Sequence, residues 1–129
     1  CIHGTFSEIG ITAPDVVEIL LGFEGRCVAA VHLDFFQSPR RRQFELLGTS
    51  GTIIVEFSTW DAYTISVYTR ASGRWDVSTC PAARDDMFLA EDGEFLHAVI
   101  SDKSIRCDID EASLSLKVLD KINFAQKIR

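Results

Sequence analysis

His32 and Asp34 stand two residues apart in the run Val31 to Asp34, and on a strand that spacing puts both side chains on one face. A carboxylate beside an imidazole fixes its orientation, which suits proton transfer or a share in a metal site. A hydrogen-bonded pair inside a sheet interface explains the same spacing with fewer assumptions. Arg40, Arg41 and Arg42 concentrate positive charge directly after Ser38-Pro39. Guanidinium forks match phosphate and carboxylate oxygens, whereas the plainer reading is a solvated hairpin end with acidic neighbours. Gly22 to Gly25 and Gly48 to Gly51 both have the form GxxG. Such a loop can clamp a nucleic-acid backbone, but between strands of an acidic chain a hairpin turn is the better account. The pairs Asp85-Asp86 and Asp108, Asp110 are better explained as helix-start residues than as a glycosidase pair.

Other chemistry is poorly represented. The sequence holds no GxGxxG, no Walker loop, no HExxH and no GxSxG. The cysteines at 1, 27, 80 and 107 are widely spaced, with no CxxC and no close histidine, which argues against zinc. Cys27 falls inside a strand pattern as a small buried thiol, and the set reads as reduced and cytoplasmic. Their even number leaves disulfide pairing open. No residue is assigned as catalytic, cofactor-binding or metal-binding.

These residues must be held by elements, and the pattern of apolar residues says which. Cys27 to Phe36, Gln43 to Leu47 and Thr52 to Phe57 are β-rich runs bounded by turn chemistry. They read as a three-stranded antiparallel meander, with Gly48 and Gly51 supplying positive φ in the second connection. Residues 1 to 8 read as an edge strand, Gly10 to Pro14 as a break and Val16 to Phe23 as a strong strand. Tyr63 to Tyr68 is a further strand, Trp75 to Val77 a short segment, and Thr79 to Ala83 a loop anchored by Pro81. After residue 84 the period changes to that of a helix, with Phe88, Phe95, Leu96, Val99 and Ile100 as its stripe. Asp108 and Glu111 form a capping box for a second helix whose stripe includes Ala112, Leu116, Leu119 and Ile122, with Lys121 and Lys127 at its end. The fold class that follows is α+β: a largely antiparallel open sheet of five to six strands with two C-terminal helices packed on one face.

The face of the first run that carries Val28, Ala30, His32, Asp34 and Phe36 is mixed in character. A helix pair on the opposite face leaves it open, so these five residues are expected to form a homo-oligomer interface. At 129 residues the chain suits a single domain, and a net charge of −6 disfavours nucleic acid as a partner. No apolar run reaches the roughly 20 residues of a membrane span. The chain opens CIHGTF and its one methionine is Met87, so it reads as a piece of a longer protein.

The run VHLDFFQSPRRRQFELLGTSGTIIVEF, with DDMFLAEDGEFLHAVISD after it, resembles the second domain of Gfo/Idh/MocA-type oxidoreductases, named after glucose–fructose oxidoreductase and inositol dehydrogenase. Asp86, Phe88, Glu91, Phe95, Leu96, Ala98 and Val99 carry the helical part, with Phe88 where tyrosine is commoner. The likeness covers nearly the whole chain. It implies a parent that oxidises or reduces a sugar or nucleotide sugar with NAD or NADP, bound by an N-terminal Rossmann domain that partners this one. Neither the EKP motif nor the histidine helix of that family is present, so no catalytic residue carries over. The chain would be the substrate-side wall and oligomer platform, inactive alone and without tight dinucleotide binding. In a nucleotide-sugar enzyme, Gln37, Arg40 or Arg41 would meet the substrate's anionic group. The alternative is a non-enzymatic α+β binding or dimerisation module.

Overall fold

A computed structural model describes residues 2–4, 10 and 14–123. Cys1, residues 5–8 of the expected edge strand, Ala13, Lys127 and the side chains of His3 and Ile122 lie outside the described residues. The strands are β1 (Ile2–Gly4), β2 (Val16–Phe23), β3 (Cys27–Asp34), β4 (Gln43–Leu47), β5 (Gly51–Glu56), β6 (Ala62–Thr69) and β7 (Arg74–Pro81). Two helices follow, α1 (Asp86–Ser101) and α2 (Ile109–Asn123). The class is α+β with every strand pair antiparallel, as the alternating runs imply. The strands nevertheless fall into two sheets, β1-β2-β3 and β4-β5-β6-β7, in place of one continuous sheet. The contacts divide likewise into two compact units, one holding β1 to β3 with α2, the other, Ser38–Ile105, holding β4 to β7 with α1.

Asp34 explains the division. Its Oδ1 accepts the backbone N–H groups of Phe36 and Gln37, both at 2.7 Å, and so withdraws them from any ladder. Pro39 then supplies no N–H at all. The run that was expected to pair with Gln43 to Leu47 therefore ends at Asp34 and pairs only with β2.

In the first unit β2 and β3 face each other from Val16↔Asp34 to Phe23↔Cys27 across a short turn. Gly25 (φ 80°) and Arg26 (φ 66°) take left-handed conformations in that turn. Val17, Ile19, Leu21, Ala29 and Val31 form the half-buried face. Leu20 (69 % exposed) and Val28 (66 %) lie on the open one. Asp15 is only 1 % exposed, and its carbonyl accepts the Phe35 N–H at 3.1 Å, closing the end of the hairpin.

In the second unit the rows Phe44–Val55–Ile65 and Leu46–Ile53–Val67 run across β4, β5 and β6 on one face. The expected strand is present as the central β6, half-buried on both faces over most of its length and not on alternate residues. The Gly48 and Gly51 N–H groups each bond the other's carbonyl, at 2.9 and 3.4 Å, in a two-residue hairpin. Neither glycine adopts positive φ, contrary to the expected use. Gly51 is needed for close approach instead: a Cβ there would stand 2.0 Å from the Tyr68 carbonyl oxygen. The segment expected to end near Val77 continues as β7 through Pro81, which pairs with Ala62. Proline is tolerated because β7 is an edge strand and Pro81 its last residue.

The start of α2 stands where its signal does, whereas Asp85 at the start of α1 makes no side-chain capping bond. Glu111 N–H donates to Asp108 Oδ1 at 2.9 Å, the capping bond expected for α2. Asp102, left-handed at φ 51°, closes α1 with its N–H on the Ala98 carbonyl. The stripe residues Phe88, Phe95, Leu96, Val99 and Ile100 remain exposed. At about 100° per residue they span roughly 140°, an arc one sheet face could cover. Among the described residues, however, α1 does not pack on β4 to β7 nor α2 on β1 to β3, in contrast to the helices expected on one face. Among the described residues only Asp15 and Ala98 are fully buried. Among the described residues no helix is long and apolar enough to cross a membrane.

Candidate functional site

An antiparallel meander brings the start of β4, the end of β5, the start of β6 and the end of β7 to one end of the sheet. The segments joined there border an open cavity of about 490 Å³. Its lining includes Arg40, Arg42, Phe57, Trp60, Tyr63 and Arg84. Backbone bonds fix these segments: Phe57 N–H to the Arg42 carbonyl at 2.9 Å and Ala82 N–H to that of Asp61 at 2.8 Å. The Thr59 hydroxyl caps the loop on the Ala62 carbonyl at 2.9 Å.

The charges sit on rings. The Arg40 guanidinium carbon lies 3.9 Å from the Trp60 ring centroid, that of Arg84 5.7 Å from the same ring, and that of Arg42 4.9 Å from Phe57. Each is a cation–π contact within about 6 Å. Among the described residues none of these three arginines pairs with a carboxylate. Asp86 also lines the cavity, but its Oδ2 accepts the Ala83 N–H at 2.7 Å. The thiol of Cys80, directly opposite Tyr63 across the strands, pushes the phenol pKa up.

Of the residues expected to meet substrate, Arg40 lines this cavity. Arg41 does not: in the segment that leads into β4 its Nη2 donates to Gln43 Oε1 at 2.6 Å, away from the cavity. Gln37 belongs to the other unit, where its N–H serves Asp34. Arg42 was singled out only as part of the arginine run, and Trp60, Tyr63 and Arg84 were not singled out as site residues. They become visible once residues 40–42, 57–62 and 81–84 are placed at the same end of one meander.

The expected interface residues lie on β3 and just beyond it, with Val28, Ala30 and Phe36 exposed. The His32–Asp34 pair forms, with Nε2 to Oδ2 at 2.7 Å, and Asp34 is nearly covered at 10 % side-chain exposure. Glu18, directly opposite His32 in the register, takes the other ring nitrogen through Oε1. An imidazole with a carboxylate at each nitrogen donates to both only as the imidazolium. Hydrogen bonds to Glu18 and then Asp34 accordingly raise the His32 pKa above 6.5, and the His32 bond lowers that of Asp34.

The sign of the pH effect follows. Because the folded pKa is raised, the stabilisation from this clamp is fully present below the unfolded value of about 6.5 and fades as pH rises through the folded value. Its size is modest, since half-exposed charges are screened. An NMR titration of the His32 ring should give a midpoint above 6.5. Glu18→Gln should lower it most and Asp34→Asn less. A wild-type midpoint at or below 6.5 would show that the clamp does not hold in solution.

Comparison with protein-family models, with curated proteins and with solved structures gives no match in any of the three.

Proposed function

We propose that the chain is the substrate-side wall of an NAD(P)-dependent oxidoreductase of the Gfo/Idh/MocA type, with the cavity at the end of β4–β7 as its substrate site. The observation that carries this reading is the lining: aromatic rings beside hydrogen-bond donors suit a hydroxylated sugar ring, whose C–H faces stack while its hydroxyls accept. The described residues do not fit a dinucleotide phosphate loop. Gly48–Gly51 joins antiparallel strands with its end N–H groups bonded across the turn, and the β7–α1 connection contains no glycine. NAD or NADP would therefore be held by a partner Rossmann domain, and this chain's role is to bind and orient substrate. The exposed face of β2 and β3 serves as homo-oligomer platform. Free Cys27, Cys80 and Cys107 accord with a reducing, cytoplasmic setting.

The test is to follow the two tryptophan indole N–H signals by NMR during titration with glucose and related neutral hexoses. A saturable shift at Trp60 that spares Trp75 is expected. Titration without a Trp60 response would remove the cavity as a sugar site. A second reading, a dimerisation module without catalysis, is favoured by the exposed apolar side chains of both helices.

A further inference from the structure

We infer that the cavity at the end of β4–β7 selects a sugar phosphomonoester, its phosphoryl group held among Arg40, Arg42 and Arg84 while the sugar ring rests against Trp60 and Tyr63. The inference rests on the reading of this cavity as the substrate site and adds the charge and kind of substituent the substrate must carry.

Charge balance is the first ground. Arg40 and Arg84 share the single ring of Trp60, and Arg42 stands over Phe57 in the same cavity. Like charges gathered in this way repel, and a chain of net charge −6 has acidic side chains to spare for neutralising them. Among the described residues none pairs with these arginines, and the one acidic residue of the lining, Asp86, has an oxygen on the Ala83 N–H, so three guanidinium groups stand against a single carboxylate.

Donor geometry is the second ground. An aromatic face balances a guanidinium's charge but accepts none of its five N–H groups in the plane of the fork. Those donors remain for oxygens brought by a ligand. A carboxylate has two oxygens and one charge, enough for one fork. A phosphoryl monoester carries a charge of about −1.5 to −2 at pH 7 and three terminal oxygens, which answers several forks together. The acidic chain as a whole disfavours a nucleic-acid phosphate, and a cavity of about 490 Å³ is of small-molecule size.

Glucose 6-phosphate, glucose, UDP-glucose and inorganic phosphate, titrated separately into the full chain, test this through the Trp60 indole signal. Glucose 6-phosphate should bind at least about tenfold more tightly than each of the others, with an affinity that falls as salt rises. Arg84→Gln or Arg40→Gln should each cost roughly tenfold in glucose 6-phosphate affinity and clearly less, about twofold, in glucose affinity, because a neutral hydroxyl loses only one uncharged acceptor contact. Arg41→Gln removes the same charge from the same segment but lies off the cavity, and should change affinity less than about twofold. Equal binding of glucose and glucose 6-phosphate overturns the inference while the sugar site stands. Preference for UDP-glucose replaces the monoester by a diphosphate. Inorganic phosphate binding as tightly as the sugar phosphate, or no Trp60 response to any probe, overturns the inference and the sugar-site reading together. An Arg41→Gln loss equal to that of Arg84→Gln reduces the effect to general charge and overturns the contact.

Discussion

Gly51→Ala is expected to destabilise the β4–β7 sheet by more than about 3 kcal/mol, beyond the ordinary range for an overpacked site. The added methyl carbon would stand 2.0 Å from the Tyr68 carbonyl oxygen, 3.1 Å from its carbon and 3.4 Å from Thr69 Cα. All three are backbone atoms in a hydrogen-bonded ladder, so no side chain can rotate away to make room. Moving β6 disturbs β7 as well, since Tyr68 lies opposite Trp75 with ring centroids 5.4 Å apart. Near-UV circular dichroism should lose the tryptophan signal, and the urea midpoint should fall steeply against a total stability of about 5–15 kcal/mol for a typical domain. Gly48→Ala is the control. Its nearest neighbour would be the Gly51 carbonyl oxygen at 3.6 Å, and its φ is not positive, so a cost below about 1 kcal/mol is expected. Equal losses from the two variants would refute close approach as the reason for Gly51.

The second large effect concerns association. Leu20 and Ala30 face each other across β2 and β3, Val28 stands opposite Gly22, and the apolar side chains of this row are well exposed. Water is a poor partner for a continuous apolar row, and a two-fold copy of the same row would cover it. Sedimentation equilibrium is expected to show dimers or larger species at high micromolar concentration. Ala30→Arg should return the chain to a monomer by placing two like charges at the centre of the contact. The clamp at Glu18–His32–Asp34 flanks this row and is satisfied within one chain. In such a dimer it would form a polar rim, its hydrogen bonds already made within one chain. A wild-type chain that stays monomeric, or a variant that dimerises equally well, excludes this face.

Much of the fold was legible because local and non-local signals agreed. Val16 to Phe23 alternates cleanly between a break and a glycine turn, and β2 has those bounds. Asp108 and Glu111 marked the start of α2 by chemistry that acts within one turn. The division of the strands into two sheets was not legible. It depends on whether one carboxylate, Asp34, bonds forward to the backbone or sideways to a neighbour, and composition does not decide that. Strand β7 escaped notice because an edge strand needs no clean apolar face, and Pro81 read as a loop marker. The arginine run announced a basic site. Which of its members turn inward is set by the irregular segment before β4, and only the folded chain reveals that Arg40 and Arg42 do. The Glu18–His32 contact could be obtained by counting back along both strands from the Phe23↔Cys27 pair, whereas Trp60 and Arg84 carry no motif of their own.

The placement of the cavity beyond the strand ends has an evolutionary consequence. Its walls come from three short connecting segments separated in the chain, whereas the ladder that supports them is specified by β4 to β7. Residues 58–61 and 82–84 can therefore vary in size and charge without a change of strand register. Such a scaffold diversifies its ligand by exchanging loops, each segment altering one wall at a time, and it is a natural starting point for libraries that retain the sheet and recut the recognition surface.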